Sequence, residues 1–360
     1  MATLARWLGP WSRSTPSGVC REERPLTTPE GAVRTWRYDP RDGVVSGAIL
    51  VVPGLHPSGP ADVRMDRFCR ILAASGLRVV APFVRPHLDL VVSARSADDV
   101  ALALGELARE CQTIALPPPA MMSISFGCLP ALTVAANPSL RRDLSALILF
   151  GGYADFEATV RFALTGRAFD GTAPLTLPHD PLNTPALFIN LLPHLEVAGD
   201  PARLHEAWLE MARRTWGRPE LRPAERRRPI AEALAATLAE DQRSLFRIGC
   251  GLAEGGAELL EQALARGREA LRFADPRPHL SALRVPVLVA HGRDDDVIPW
   301  NEARKLAGAV APSTVVRLAI TGLFGHTGAV LPSPHALASE LGNLSTLLRG
   351  LVDAPRGGFR

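Results

Sequence analysis

Lysine is almost missing from this chain: among 40 basic residues only Lys305 is a lysine. That removes any reading built on a phosphate-cradling or Schiff-base lysine elsewhere. An excess of one charge is missing too. The 40 basic and 37 acidic side chains leave a formal +3, too balanced for the basic footprint of a nucleic-acid binder. The five cysteines, Cys20, Cys69, Cys111, Cys128 and Cys250, are odd in number and scattered. They form no CxxC pair and no His/Cys spacing that closes around zinc, so the expectation is reduced thiols in a cytoplasmic protein with no metal. No apolar run approaches the roughly 18–20 residues that span a bilayer, and Pro10 breaks the N-terminal apolar stretch before it can serve as a secretory signal. The chain has no internal repeat, no glycine-rich dinucleotide fingerprint and no phosphate loop. No cofactor is expected.

What is present is apolar residue: 47% hydrophobic against 21% charged over 360 residues, enough core for one large domain or two smaller ones. From about Gly31, short apolar runs alternate with amphipathic segments, the pattern of strands feeding helices across a mostly parallel sheet. Strands are predicted at 48–52, 77–81, 120–124, 145–150, 285–290 and 315–320. A helix over 62–75 places Met65, Phe68, Ile71 and Leu72 on one face. A capping box, Ser96-Ala97-Asp98-Asp99, opens another with Val100, Leu104 and Leu107 inward. Further helices are predicted from Phe126, near 301–310, and over 334–348, the last capped by Ser333 with Leu337, Leu341, Leu344 and Leu348 inward. Between 153 and 278 the alternation gives way to amphipathic helix. The predicted class is α/β: a mostly parallel, doubly wound sheet domain over 31–152 and 279–360, an N-terminal arm over 1–30, and a helical cap over 153–278 inserted after the strand at 145–150.

Three strand-to-loop junctions carry chemistry. Ser123-Ile124-Ser125-Phe126-Gly127 lies where the 120–124 strand meets the next helix. Small residues two before and two after let Ser125 take the strained backbone of a nucleophile elbow, and the helix N-terminus behind it aims amides at an oxyanion. His291-Gly292-Arg293-Asp294-Asp295-Asp296-Val297-Ile298-Pro299 ends the 285–290 strand and offers carboxylates at the sheet's carboxyl edge. Gly322-Leu323-Phe324-Gly325-His326 follows the 315–320 strand and offers an imidazole at that edge.

These positions, Ser then Asp then His, resemble the α/β-hydrolase superfamily, and the string from His291 to Pro299 is similar to its acid-loop motif, with Asp295 at the matching place. The resemblance spans about 47–351 apart from the insertion. It implies that Ser125 is a nucleophile, that His326 takes its proton and that Asp295 orients the imidazolium. Asp294, Asp296 and Asp155 stand as alternatives for the acid. Val51-Val52-Pro53-Gly54-Leu55-His56-Pro57 occupies the family's oxyanion-loop position, which implies the backbone amides of Leu55 and Phe126 as the donors. The implied activity is a cofactor-independent serine hydrolase (carboxylesterase, lipase or thioesterase) acting on a small-molecule ester or acyl substrate. An acyltransferase on the same triad and a non-catalytic binding protein of the same fold are the alternatives. His56 reads as a structural loop residue or a substrate contact, and His179, His194 and His205 as surface or packing residues. Cys128 reads as a buried inert thiol, and Arg226-Arg227-Arg228 as a solvated loop before Pro229 or a site for an anionic tail or phospholipid.

Overall fold

Runs such as Gly47–Val52, with all six residues buried, have the composition of strands covered on both faces. The computed structural model describes Leu4, Arg6 and residues 14–28, 31–322 and 334–359, with the backbone alone for 334–339. Eight strands form the main sheet: β1 (Val19–Glu23), β2 (Thr35–Pro40), β3 (Gly47–Val52), β4 (Leu77–Pro82), β5 (Ala120–Ile124), β6 (Leu147–Phe150), β7 (Val287–Gly292) and β8 (Val316–Thr321). Their spatial order is β1-β2-β4-β3-β5-β6-β7-β8. β2 runs antiparallel to both β1 and β4, and the rest are parallel. The register aligns Val52 with Ser123, Ile124 with Phe150, and Gly292 with Thr321. The carboxyl ends of the six parallel strands therefore share one edge, the position where open α/β sheets carry their sites.

Side-chain alternation along the strands divides the core into two layers. Leu50, Val52, Leu149 and Val289 pack with Leu104, Leu132 and Leu306 of the helices Ser96–Thr113, Cys128–Ala136 and Asn301–Ala309. Ile49, Val51, Ile148 and Leu288 face the other way, onto Leu72 and Leu348 of Val63–Ala74 and Pro334–Asp353. After β6 the chain leaves the sheet for six α-helices of eight or more residues, from Phe156–Thr165 to Gly256–Gly267. Their packing centres on buried Trp208, whose ring lies 5.7 Å from Phe188 and 6.5 Å from Phe246. Its indole N–H donates to the Phe246 carbonyl at 3.1 Å. Among the described residues no helix is long and apolar enough to cross a membrane.

Several sequence expectations change. Residues assigned to the arm supply β1, which pairs residue for residue with β2 from Val19–Pro40 to Glu23–Trp36. The capping box does not form: the helix starts at Ser96 without a side-chain cap, the Ser96 hydroxyl has no partner among the described residues, and Asp99 is drawn to Arg85. A hairpin, Arg167–Asp170 with Ala173–Thr176, interrupts the helical insertion. Arg226–Arg228 belongs to the helix Ala224–Ala235, with Pro229 inside it. Arg227 is buried and donates to the carbonyls of Cys250 and Gly251, so it is structural and not a solvated loop cation. In the last helix the inward residues are Leu344, Leu347, Leu348 and Leu351, while Leu341 is 55% exposed. Ser333 and the Leu337 side chain lie outside the described residues.

Four of the five thiols are buried and Cys20 is exposed. Burial pushes Cys128 up to about 12 and Cys111 to about 11, and raises Cys69 and Cys250 as well, so these four carry little thiolate. A disulfide-exchange reagent is expected to modify one thiol of the native chain rapidly, and Cys20→Ser to remove that phase. Two or more fast thiols in the native protein would contradict this packing.

Candidate active site

β5 ends at Ile124 and passes through a single 3-10 turn, Ser125–Gly127, into the helix Cys128–Ala136. Ser125 has φ +52°, left-handed backbone that costs a non-glycine residue about 1–3 kcal/mol and persists only where surroundings enforce it. The enforcing contact is the end of β3. A methyl on Gly127 would sit 2.6 Å from the Pro53 carbonyl oxygen and 2.8 Å from that of Val52. One on Gly54 would lie 3.1 Å from Cβ and 3.6 Å from Oγ of Ser125. Gly127 is therefore required by close backbone approach, and Gly54 sits in tight contact with Ser125. Ser123, two residues before Ser125, is fully buried, which suits its small side chain.

The loop after β3 is held from beneath. His87 is buried in the short turn Arg85–Leu88. Its Nδ1 lies 3.1 Å from the Pro53 carbonyl oxygen, and because a carbonyl only accepts, Nδ1 carries the proton. The His56 amide donates back to the His87 carbonyl at 3.2 Å. Burial pushes the His87 imidazole down to about 4, so it is neutral at physiological pH. His56 accepts at Nδ1 from the Ser58 amide, 3.1 Å, which leaves Nε2 protonated toward Asp62 Oδ2 at 3.3 Å. Burial lowers the His56 pKa. Burial also works to raise Asp62, but the Arg64 hydrogen bonds and charge hold that carboxyl below its usual range. The Trp216 ring from the insertion lies 5.7 Å from the His56 ring. His56 thus makes structural contacts and also lines the cavity beside Ser125.

After β7, Asp295 turns back on its own loop. Oδ1 accepts from the amides of Val297 and Ile298, both at 2.9 Å. Oδ2 lies 3.4 Å from His291 Nε2 and 3.3 Å from where a methyl on Gly151 would stand. His291 is buried and donates to the Ile298 carbonyl at 2.9 Å. Two of the three competing carboxylates, Asp296 and Asp155, are otherwise engaged. Asp296 pairs with Arg222 at 2.5 Å, and Arg222 also reaches Asp180 at 2.9 Å. Burial, then Asp180 and Asp295, raise the Asp296 pKa against the pull of Arg222. Asp155 caps the helix Phe156–Thr165 by accepting from the Ala158 amide at 3.0 Å. Asp294 lines the cavity.

The loop after β6 is fixed by a residue with no signal in sequence. Glu302 is fully buried and accepts from the amides of Ala154 and Asp155, each at 2.9 Å. The chain's one lysine, Lys305, completes it at 2.6 Å. Read along the helix Asn301–Ala309, Glu302 and Lys305 look like an ordinary surface pair.

Ser125, Leu55, Phe126 and Asp295 line a single cavity of about 1410 Å³ with Phe156, Leu182, Leu187 and Trp216 of the insertion. His326, the expected base, lies outside the described residues, as does the rest of its loop beyond Gly322. His179 packs on Gly166 and His194 on Gly267, while His205 reaches the Asp89 carbonyl at 3.2 Å. Cys128 is buried with its sulfur accepting from the Tyr153 amide at 3.4 Å.

A mostly parallel eight-strand sheet, covered by helices on both faces, with a strained serine at the turn after β5, defines an α/β-hydrolase fold. Comparison with solved structures agrees. The chain is similar to "Brefeldin A esterase, a bacterial homologue of human hormone sensitive lipase" at 14% identity and TM-score 0.51, covering 97% of this chain and 80% of that one. It is similar to the Pyrococcus horikoshii acylaminoacyl peptidase at 11% identity and TM-score 0.52, covering 94% of this chain and 42% of that one. In sequence, a segment is 35% identical over 78 residues to the "Putative carbamate hydrolase RutD" of Pseudomonas syringae pv. syringae (strain B728a), 22% of this chain and 30% of that protein. The match thus spans less than a third of this curated relative's length. No protein-family model matches the chain.

Gly127→Ala is expected to destabilise the protein by about 1–3 kcal/mol, as overpacking against fixed atoms does. Gly105→Ala, in the interior of the helix Ser96–Thr113 with open space around it, is expected to stabilise by about 0.5–1 kcal/mol. Denaturant titration of both variants checks the contrast, and equal effects would refute the close approach at Gly127.

Proposed function

We propose that this protein is a serine hydrolase that cleaves a carboxylic ester or thioester through an acyl-enzyme on Ser125. The observation that carries the reading is the left-handed backbone of Ser125 at a strand-to-helix turn, pressed against a glycine of the neighbouring loop. An ordinary turn serine has no reason to bear that strain; a nucleophile that must project above the sheet edge does. In this reading Ser125 Oγ bonds to the carbonyl carbon and its proton passes to His326. The carbonyl electron pair moves onto oxygen, where the Leu55 and Phe126 amides stabilise it. Collapse re-forms the carbonyl and expels the alcohol or thiol, which takes the proton from His326. Water then repeats the sequence and releases the carboxylic acid.

Asp295 is the proposed acid. One of its oxygens is committed to two amides, which orients the carboxylate, and the residue lines the cavity that holds Ser125, whereas Asp155, a helix cap, is not among the described residues that line it. The insertion serves as a cap, contributing Phe156, Leu182, Leu187 and Trp216 as apolar lining, in keeping with a substrate that carries an apolar acyl or alcohol part. No cofactor is needed, and five unpaired thiols suit a reducing, cytoplasmic setting. The names of the similar proteins, an esterase, a peptidase and a carbamate hydrolase, support acyl chemistry. If an alcohol other than water accepts the acyl group, the same residues make an acyltransferase.

A fluorophosphonate probe is expected to label the native chain, and Ser125→Ala to abolish both the label and turnover of a p-nitrophenyl ester. Asp295→Asn should lower kcat by about 10⁴. Asp155→Ala should cost about 1 kcal/mol of stability and leave kcat within several-fold. A folded native chain that takes no label points instead to a binding protein of the same fold, and equal loss in the two aspartate variants refutes Asp295 as the acid.

A further inference from the structure

We infer that His87 is the positioning residue of the oxyanion loop, its two hydrogen bonds bracketing the Gly54–Leu55 peptide and aiming the Leu55 amide at the reacting carbonyl oxygen. This rests on the reading of Ser125 given above. The tether has two points. His87 Nδ1–H donates to the Pro53 carbonyl at 3.1 Å, and the His56 amide donates to the His87 carbonyl at 3.2 Å. Between those anchors lies the one peptide whose N–H is the proposed donor. The same Pro53 carbonyl stands against Gly127 of the elbow, so the bond that holds the loop also sets its distance from Ser125.

His87 is itself anchored. The turn Arg85–Leu88 is tied to the long helix Ser96–Thr113 through Asp99, which is buried. The Arg85 amide donates to Asp99 Oδ2 at 2.9 Å and its guanidinium pairs with Oδ1 at 2.6 Å. The path runs from a core helix through Asp99 and Arg85 to His87 and then to the loop. An oxyanion donor contributes only when fixed at the position of the developing charge, and a four-residue connection free of such ties would need to reorganise during the reaction. The imidazole suits the place because it donates through Nδ1 without bringing a charge beneath an oxyanion donor. With Nδ1 committed and the ring buried, His87 is unable to serve as the base.

The test uses the full chain with His87→Leu, which keeps bulk and removes the donor, and His87→Asn, which keeps an N–H close to the Nδ1 position. Turnover is normalised to the number of fluorophosphonate-labelled sites, so loss of folded protein alone does not lower it. His87→Leu is expected to lose about 10²–10³ in kcat with KM within threefold of the native value, and His87→Asn to recover kcat to within tenfold. A kcat per labelled site in His87→Leu within threefold of native, or equal impairment in both variants, overturns the inference. Nitrogen-15 NMR of the native chain gives a readout independent of turnover and of whether the leucine variant folds: the His87 proton is expected on Nδ1, and finding it on Nε2 overturns the tether. A native chain that neither labels nor turns over refutes the reading of Ser125 and the kinetic part of this one with it, while the nitrogen shifts still decide the tether.

Discussion

Two backbones approach each other at the carboxyl edge of this sheet more closely than side chains would allow. The turn after β5 carries Gly127 with its α-carbon directed at the Pro53 and Val52 carbonyls, and the loop after β3 carries Gly54 against Ser125. Neither segment can move away without losing the parallel register that joins Val52 to Ser123. The strained φ of Ser125 is therefore held by ladder hydrogen bonds and by two core layers on opposite faces of the sheet. A strain of a few kcal/mol persists where that much packing over-determines the geometry.

Around that contact, three loops of the edge are fixed by polar side chains bonded to backbone. His87 holds the loop after β3, Glu302 the loop after β6, and Asp295 with His291 the loop after β7. Buried ionised groups are costly unless they are hydrogen-bonded or paired. Glu302 meets that condition with two amides and one lysine, Asp99 with an amide and a guanidinium, and Arg227 with carbonyls of the insertion. Arg222, reaching from the insertion to Asp296 beside Asp295, ties the helical segment to the loop after β7. Loops fixed in this way lose little freedom on binding a substrate, which is how a preformed site is built.

The sheet itself was legible because strands buried on both faces must be continuous apolar runs, and those from Ala48, Leu77 and Ala120 stand out from the helices between them. The elements that did not read correctly had a local pattern overridden by a distant partner. Ser96 and Asp99 have capping-box spacing, but Arg85 takes the carboxylate. Val19–Glu23 alternates weakly and looks like an arm until β2 pairs with it. The three arginines at 226–228 look solvated until the carbonyls of Cys250 and Gly251 capture the middle one.

The division for the site follows the same line. Ser125, its small neighbours, and the order of serine, aspartate and histidine along the chain were determined by the sequence, because a turn that narrow admits few residue types and strand order dictates which loops share an edge. Which backbone amides each aspartate meets, and which buried residues hold the loops, was decided by tertiary structure alone. Asp155 and Asp295 are alike in composition and in following a strand, and they differ in which amides lie within reach once the helix Phe156–Thr165 and the 295–298 turn have formed. His87 and Glu302 carry no motif because their hydrogen bonds join residues distant in the chain, and hydrogen-bond partners are a property of space and not of spacing.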